Sequence, residues 1–309
     1  MNTKKWKGVA CGVIAAITYG TNPLGALNLY ADGINTDSVL FYRYGLSVLI
    51  LAALMLAQKT SFRLQKRELL ITSILGIIFA ISSLALFVSF KYMDAGIAST
   101  ILFIYPVMVS GIMTVFFKEK ITPAIIFATT LALGGIALLY QPNSSNSLSA
   151  VGVILVLLSA LSYAIYIVVV NKSGIKLSPI KLTFYVMVFG TATIIVHSLA
   201  NPHEHIQPLT SWSMWGWAAM LAVLPTVISL ILMVIAVQEI GSTSTAIMGA
   251  LEPVTAIIIG VSIFGEDFGM QLALGISLIL LGVMFIIRSE AFNQKFNRTF
   301  HPKQPMARL

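Results

Sequence analysis

Residues 150–170 read AVGVILVLLSALSYAIYIVVV, a stretch without a charged residue or a proline. About 20 apolar residues in a helix cross the hydrocarbon core of a bilayer, so this stretch predicts a membrane-spanning helix. The rest of the chain has the same character, because 58% of its 309 residues are hydrophobic and only 10% are charged. A soluble domain carries roughly 25% charged residues. We therefore predict that lipid surrounds most of the protein surface.

Nine further apolar runs of similar length are connected by short segments that leave no room for a soluble domain. With the first, the ten runs lie near residues 7–28, 38–57, 68–90, 96–117, 122–140, 150–170, 179–199, 212–237, 244–264 and 269–288. Backbone groups in hydrocarbon must bond to one another, and the alternating pattern of barrel strands is not seen in these runs. The sequence predicts an all-α integral membrane protein with ten transmembrane helices.

The positive charges predict the orientation of these helices. If the N-terminus is cytoplasmic, every Lys and Arg except Lys91 and Arg43 falls in a cytoplasmic segment. This bias is the positive-inside pattern of membrane topology, so the net charge of +8 does not indicate a nucleic-acid partner. Both termini are predicted to be cytoplasmic, and the basic tail 289–309 suits the anionic inner leaflet.

The two halves of the chain resemble each other. At an offset of 147, Tyr105-Pro106-Val107 aligns with Glu252-Pro253-Val254, and an offset of 144 places Tyr19 on Tyr163. Two repeats are predicted, at 7–140 and 150–288, and an odd number of helices in each gives them opposite orientations. Inverted repeats are typical of transporters that alternate between inward-open and outward-open states around a central site. Duplication for packing alone is the alternative.

These features resemble the drug/metabolite transporter superfamily, in particular its bacterial EamA-type branch with ten helices. The resemblance covers residues 7–288 and rests on the two Pro-Val helices, each with a Glu 13 residues after the proline, and on the Phe-Tyr-Arg-Tyr run at 41–44. It also rests on the Gly-Gly or Leu-Gly pairs in the fifth and tenth runs. It implies a bacterial cytoplasmic (inner) membrane protein that exports a small metabolite, such as an amino acid. Similarity to sugar-phosphate and nucleotide-sugar carriers leaves exchange of phosphorylated or sugar metabolites as an alternative.

Two charges lie inside predicted spans, where ionised groups usually face a cavity or a partner. Glu252 precedes Pro253 and could bind an ammonium group, a proton or another cation, or could serve only to pack a kinked helix. Arg43 could extend to the interface, pair with Glu252, or hold an anionic group of a solute.

Polar residues also recur on one helical face in the first, sixth and ninth spans. They could line a cavity or could hydrogen-bond neighbouring helices. The predicted cavity-lining set is Tyr19, Asn22, Arg43, Tyr105, Ser162, Tyr163, Tyr166, Thr245, Met248 and Glu252, with helix breaks at Pro106 and Pro253.

The sequence carries no signature of an enzyme. It contains no nucleotide-binding loop, no His-Glu-x-x-His and no Gly-x-Ser-x-Gly, and Cys11 is its single cysteine. We expect no cofactor and no metal. The expected partners are a small-molecule substrate and the lipid bilayer. A monomer is sufficient for transport. Glu252 permits coupling to a proton or another cation. A passive channel or a structural membrane protein is the remaining class, although the rings of like charge that form channel filters are not visible.

Overall fold

The computed structural model describes residues 3–93, 95–119, 123–139, 149–201, 204–264, 270, 273–275, 277–282 and 284–285, and all regular elements in this part of the chain are helical. Each of the first nine apolar runs coincides with a helix or with consecutive helices. The tenth run is described only in part, and the tail 289–309 lies outside the described residues. The number of membrane crossings therefore stays a prediction.

The helices differ in length because several runs are interrupted. Their bounds are α1 Thr3–Tyr19, α2 Asn22–Ala31, α3 Thr36–Ala57, α4 Lys66–Ser89, α5 Ala95–Leu102, α6 Tyr105–Phe117, α7 Pro123–Leu139, α8 Ala150–Lys172, α9 Pro179–Ala200, α10 Trp212–Ala222, α11 Ser229–Ile240, α12 Ser242–Met248 and α13 Leu251–Phe264. In the described part of the chain, six helical segments are long and apolar enough to cross a membrane, namely Lys5–Ala31, Thr36–Ala57, Lys66–Ser89, Ala150–Lys172, Pro179–Ala200 and Trp212–Ile240.

Prolines lie at or just after the interruptions. Pro106 is in the first turn of α6, and Pro253 is in the first turn of α13. The first turn tolerates proline because its backbone N–H groups have no partner within the helix. The helix therefore breaks a few residues before each proline. Pro225 instead lies in a π-helical segment, Val223–Ile228, which joins α10 to α11.

The most extensive interfaces join α1 to α11, α4 to α8, and α3 to α9. Serine hydroxyls bridge the first two of these interfaces. The Oγ of Ser82 donates to the carbonyl oxygen of Ser159 at 3.0 Å, which links α4 to α8. The Oγ of Ser229 donates to the carbonyl oxygen of Ala15 at 2.9 Å, which links α11 to α1. These buried hydroxyls are satisfied at helix–helix contacts and hold the helices in register.

Two loops dock on the starts of α3 and α9. The segment 204–211, between α9 and α10, packs on the start of α3, where the hydroxyl of Tyr42 donates to the carbonyl oxygen of Gln207 at 3.1 Å. The segment 58–65, between α3 and α4, packs on the start of α9, where the hydroxyl of Tyr185 donates to the carbonyl oxygen of Phe62. Each loop thus binds a helix from the other half of the chain.

Both receiving helices begin with a side-chain cap. The side chain of Asn35 accepts a hydrogen bond from the backbone N–H of Ser38 at 2.9 Å, and Ser178 accepts one from Lys181 at 3.4 Å. Ser, Asn, Asp and Thr favour helix starts because they satisfy N–H groups that the helix leaves unpaired.

Candidate functional site

The centre of the bundle is formed where two interrupted helices meet. Tyr105 begins α6 and Glu252 lies in the first turn of α13, and the hydroxyl of Tyr105 donates to Oε1 of Glu252 at 3.3 Å. Tyr105 is only 2% exposed. A Cβ atom on Gly249, between α12 and α13, would overlap the Tyr105 hydroxyl. The tyrosine therefore fits against the break because residue 249 has no side chain.

Two small cavities lie beside this pair. The first, which we call the Phe90 cavity, has a volume of ≈ 30 Å³. It is lined by Tyr19, Gly20, Asn22, Pro23, Leu86, Phe90, Ser99, Leu102, Phe103, Tyr105, Glu252 and Pro253. The second, the Met233 cavity, has a volume of ≈ 10 Å³. It is lined by Gly12, Ala15, Ala16, Tyr105, Tyr163, Ile167, Ser229, Met233, Thr245, Gly249 and Glu252.

Tyr105 and Glu252 are the two residues common to both linings. The Met233 cavity contacts α1 at Ala15 and Ala16, whereas the Phe90 cavity contacts the chain from Tyr19 onward. The cavities therefore lie at different levels along α1, with the Tyr105–Glu252 hydrogen bond between them. The larger holds about two water molecules and the smaller about one, so neither accommodates an organic solute in this conformation.

An aromatic cluster borders the same pair. The rings of Tyr19 and Tyr163 stack with centroids 5.8 Å apart, and Tyr163 stacks on Tyr166 at 6.2 Å. Tyr105 meets Tyr163 edge to face at 4.9 Å. Aromatic rings combine apolar area with a polar tip, and their faces attract cations. The arrangement is suited to a small amphipathic solute.

Arg43 is buried in a second aromatic environment next to this cluster. Its side chain is 0% exposed, and its Cζ lies 5.9 Å from the ring centroid of Tyr19 and 5.6 Å from those of Tyr44 and Phe87. Its Nε donates to Oγ1 of Thr226 at 2.7 Å. The hydroxyl of Tyr19 lies close to the guanidinium group, but Nη1 and Nη2 form no hydrogen bond of good geometry with a described residue.

The environment of Arg43 differs from two expectations for this residue. A side chain without exposure does not extend to the interface, so that role is wrong for this conformation. Pairing with Glu252 is also not observed, because Oε1 of Glu252 accepts from Tyr105 while Arg43 donates to Thr226.

The π-helical segment explains the position of Thr226. Its hydroxyl donates to the carbonyl oxygen of Leu221 at 2.7 Å, five residues earlier, and accepts from Arg43. A wider turn leaves a backbone carbonyl free for such a side-chain bond, and π-bulges recur at functional sites. Ser47 adds a link, because its Oγ lies 2.6 Å from the carbonyl oxygen of Arg43 and 3.1 Å from that of Ala222.

The predicted cavity residues divide into those that line the two cavities and those that do not. Tyr19, Asn22, Tyr105, Tyr163, Thr245 and Glu252 contact at least one cavity. Arg43, Ser162, Tyr166 and Met248 line neither of them. Met248 packs instead next to Gly12, where an added Cβ would lie 2.8 Å from its sulfur atom.

Some residues at the centre were not predicted. Thr226 was missed because its role depends on the π-helical turn, for which Pro225 was the available signal. Phe79 lies 5.2 Å from the ring of Tyr166 and 5.9 Å from that of Tyr44, yet an apolar helix carries no mark of which phenylalanine faces the centre. Among the described residues, no group of three His, Cys, Asp or Glu side chains could hold a metal ion.

Comparison with known proteins agrees with this architecture. The EamA-like transporter family matches residues 6–141 and again residues 150–288. An uncharacterized transporter of Archaeoglobus fulgidus is 27% identical over 281 residues, covering 91% of this chain and 96% of that protein. The uncharacterized transporter YcbK of Bacillus subtilis is 26% identical over 290 residues, covering 89% of each chain.

A crystal structure of another protein superposes with a TM-score of 0.77 at 16% identity, covering 94% of this chain and 99% of that one. This likeness concerns the fold. The family matches together span most of the sequence, and the apolar helices fit a protein that crosses the membrane several times. The chain therefore belongs to the EamA-like transporter family, and it is a multi-pass membrane transporter rather than an enzyme.

Proposed function

We propose that the protein is a secondary transporter or facilitator that exports a small organic metabolite, such as an amino acid, by alternating access. The observation that carries this proposal is the pair of cavities that meet only at Tyr105 and Glu252. In alternating access, a solute site opens to one side at a time, so a barrier must close each path in turn. In this proposal the Tyr105–Glu252 contact is that barrier, and its hydrogen bond keeps the path closed.

Paired contacts at equivalent positions support two related halves. Under the predicted repeat, α1 corresponds to α8, and the start of α11 corresponds to Ser82 of α4. The bond from Ser229 to Ala15 is then the counterpart of the bond from Ser82 to Ser159. Equivalent interfaces built with equivalent bonds are expected when two halves share one fold. The two separate family matches, 6–141 and 150–288, support the same view.

The helix breaks provide the places where the barrier can move. Tyr105 and Glu252 are each carried by a helix that starts beside a break, so a change of angle there separates the two side chains. Irregular backbone at membrane depth is tolerated where protein or a water-filled cavity covers it. With a cytoplasmic N-terminus in a bacterial inner membrane, the Met233 cavity faces the cytoplasm and the Phe90 cavity faces outward.

Glu252 is also our candidate for coupling. Its carboxyl group contacts both cavities and is the one acidic side chain in either lining. A proton or a cationic group of the solute that binds there would replace the bond from Tyr105. Such a replacement would link binding to opening of the barrier, and one monomer contains all the groups involved.

Uptake and counterflow in proteoliposomes test this function. Wild-type protein is compared with Glu252→Gln for a panel of amino acids and other metabolites, with and without an imposed pH gradient. The matched control is Asp32→Asn, which neutralises an exposed carboxylate. We expect saturable flux that Glu252→Gln reduces and Asp32→Asn does not. A protein that moves none of the solutes would contradict transport of this class, and flux unchanged by the gradient and by Glu252→Gln would remove the coupling role.

A further inference from the structure

The terminal nitrogens of Arg43 form an incomplete polar site in the interior. The guanidinium group is 0% exposed, and its Nε donates to the hydroxyl of Thr226. The hydroxyl of Tyr19 lies close to the group, but neither Nη1 nor Nη2 forms a hydrogen bond of good geometry with a described residue. An ionised group buried without a compensating partner is strongly unfavourable. A guanidinium group carries N–H donors and no acceptor. The missing partner must therefore accept hydrogen bonds and should carry negative charge.

Neighbouring side chains lack partners in the same way. The side chain of Asn22, which is 3% exposed, lies close to the hydroxyl of Tyr19, as Arg43 does, but neither of its amide atoms forms a hydrogen bond of good geometry with a described residue. The rings of Tyr44 and Tyr166 both flank Phe79. The hydroxyl of Tyr166 is buried without a partner in the described part of the chain, and that of Tyr44 lies close to Ser83 without a hydrogen bond of good geometry. An amide and two phenols can each donate a hydrogen bond. Tyr19 thus connects Asn22 to Arg43, and the ring of Tyr44 lies 5.6 Å from Cζ of Arg43.

The side chain of Tyr19 separates Arg43 from the Phe90 cavity. Tyr19 and Asn22 line that cavity, and Cζ of Arg43 is 5.9 Å from the centroid of the Tyr19 ring. Phe87, whose ring centroid is 5.6 Å from Cζ of Arg43, lies on α4 between Leu86 and Phe90, which also line the cavity. A rotation of the Tyr19 side chain would join the cavity to Arg43.

We propose that Nη1 and Nη2 of Arg43, with the amide of Asn22, bind the carboxylate group of the transported solute. The bond from Nε to Thr226 fixes the plane of the guanidinium and leaves its two terminal nitrogens free. A planar carboxylate matches such a pair with two parallel hydrogen bonds. This inference rests on the proposed transport function for its biological role, and it narrows the substrate to carboxylic acids, amino acids included.

Binding is tested on purified protein by thermal unfolding with matched pairs of probes at constant ionic strength. The pairs are benzoate with benzamide, and leucine with leucinamide, in which an amide replaces the carboxylate. A ligand that binds the folded state raises the unfolding temperature. We expect at least one carboxylate to stabilise the wild type and its amide not to do so. Equal responses within both pairs, or no response to either carboxylate, would overturn the proposal.

Variants test whether stabilisation by carboxylates depends on Arg43. Arg43→Gln should abolish the carboxylate response, and Arg43→Lys, which lacks the planar fork, should weaken it by about tenfold or more. The control Arg67→Gln removes an exposed arginine and should leave the response unchanged. If Arg43→Gln does not fold, Asn22→Asp provides the test, because a like charge beside the carboxylate should remove the response.

A carboxylate response that survives Arg43→Gln or Asn22→Asp would overturn the assignment. Stabilisation by carboxylates that depends on Arg43, without flux of any solute through proteoliposomes, would support the binding site and contradict the transport function. The carboxylate site at Arg43 and the transport function can therefore be contradicted independently of each other.

Discussion

Tyr105 and Glu252 occupy equivalent positions in the predicted repeat, 147 residues apart, and they form a hydrogen bond with each other. A residue can contact its own counterpart only near the axis that relates two halves. Each residue directly precedes a proline in the first turn of a helix, so the two breaks face each other at that point. Under the predicted repeat, the centre of the molecule is built from one element used twice, with a phenol on one side and a carboxyl on the other.

Removing the hydroxyl of Tyr105 should eliminate its hydrogen bond to Glu252 and destabilise the protein. We expect Tyr105→Phe to lower the free energy of unfolding by about 1–3 kcal/mol, because an oxygen of Glu252 loses its donor in a largely buried place. Thermal or denaturant unfolding in detergent measures the change. Tyr92→Phe, at a ring that is 45% exposed, is the control and should be nearly neutral. Equal stability of the two variants would argue against a role for the bond.

Gly249 should tolerate no side chain. In Gly249→Ala the new methyl group would occupy the position of the Tyr105 hydroxyl, so the tyrosine must move and the barrier must rearrange. We expect a large loss of solute counterflow in proteoliposomes. Gly45→Ala is the matched control, because a Cβ atom at Gly45 meets nothing within 4 Å. Counterflow by Gly249→Ala at the wild-type rate would show that the close fit at the break is unimportant.

Thr226 should be important through its hydroxyl rather than its shape. Thr226→Val keeps a similar volume but removes the acceptor for Nε of Arg43, which leaves a further donor of a buried charge unpaired. The expected cost is about 1–3 kcal/mol in unfolding free energy. The control, Thr130→Val, removes an exposed hydroxyl that bonds only within its own helix. A neutral Thr226→Val variant would mean that other groups satisfy Arg43.

The two docked loops should contribute independently to the free energy of unfolding. Tyr42→Phe and Tyr185→Phe each remove one phenol–carbonyl bond between a loop and a helix of the other half. We expect each to cost about 0.5–1.5 kcal/mol, with additive effects in the double variant because the sites share no partner. Unfolding midpoints of the two single variants and the double variant provide the test. Strong non-additivity would indicate that the loops act as one unit.

Much of this architecture can be predicted from the amino-acid sequence. The uncharged stretch at 150–170 requires a long buried or lipid-facing helix, and it forms α8. The paired Pro-Val motifs indicated interrupted helices, because proline removes a backbone donor. Their equivalence also placed Tyr105 and Glu252 in matching positions, although contact between them could not be derived, since an internal offset gives no distance.

Other features depend on tertiary structure. The spacing of Ser159, Ser162, Tyr163 and Tyr166 puts them on one face of α8, but helical periodicity does not identify the helix that packs against that face. Ser159 bonds to Ser82, whereas Tyr163 borders a cavity. The environment of Arg43 was not predictable either, because it depends on a π-helical turn that changes which residues of the 212–237 run face α3. That change of register brings Thr226 to the guanidinium group.

Labelling from the two sides of the membrane tests the central claim most directly. Single cysteines are introduced as Ser99→Cys in the Phe90 cavity and as Met233→Cys in the Met233 cavity, both in a Cys11→Ser background. A membrane-impermeant maleimide is then applied to intact cells or to inverted vesicles. Neither cavity admits the reagent in the closed conformation, so labelling reports the open states of the transport cycle. The account predicts that residue 99 reacts from the external side when the outward path opens, and residue 233 from the cytoplasmic side when the inward path opens. Reaction of both positions from the same side would contradict a barrier at Tyr105 and Glu252.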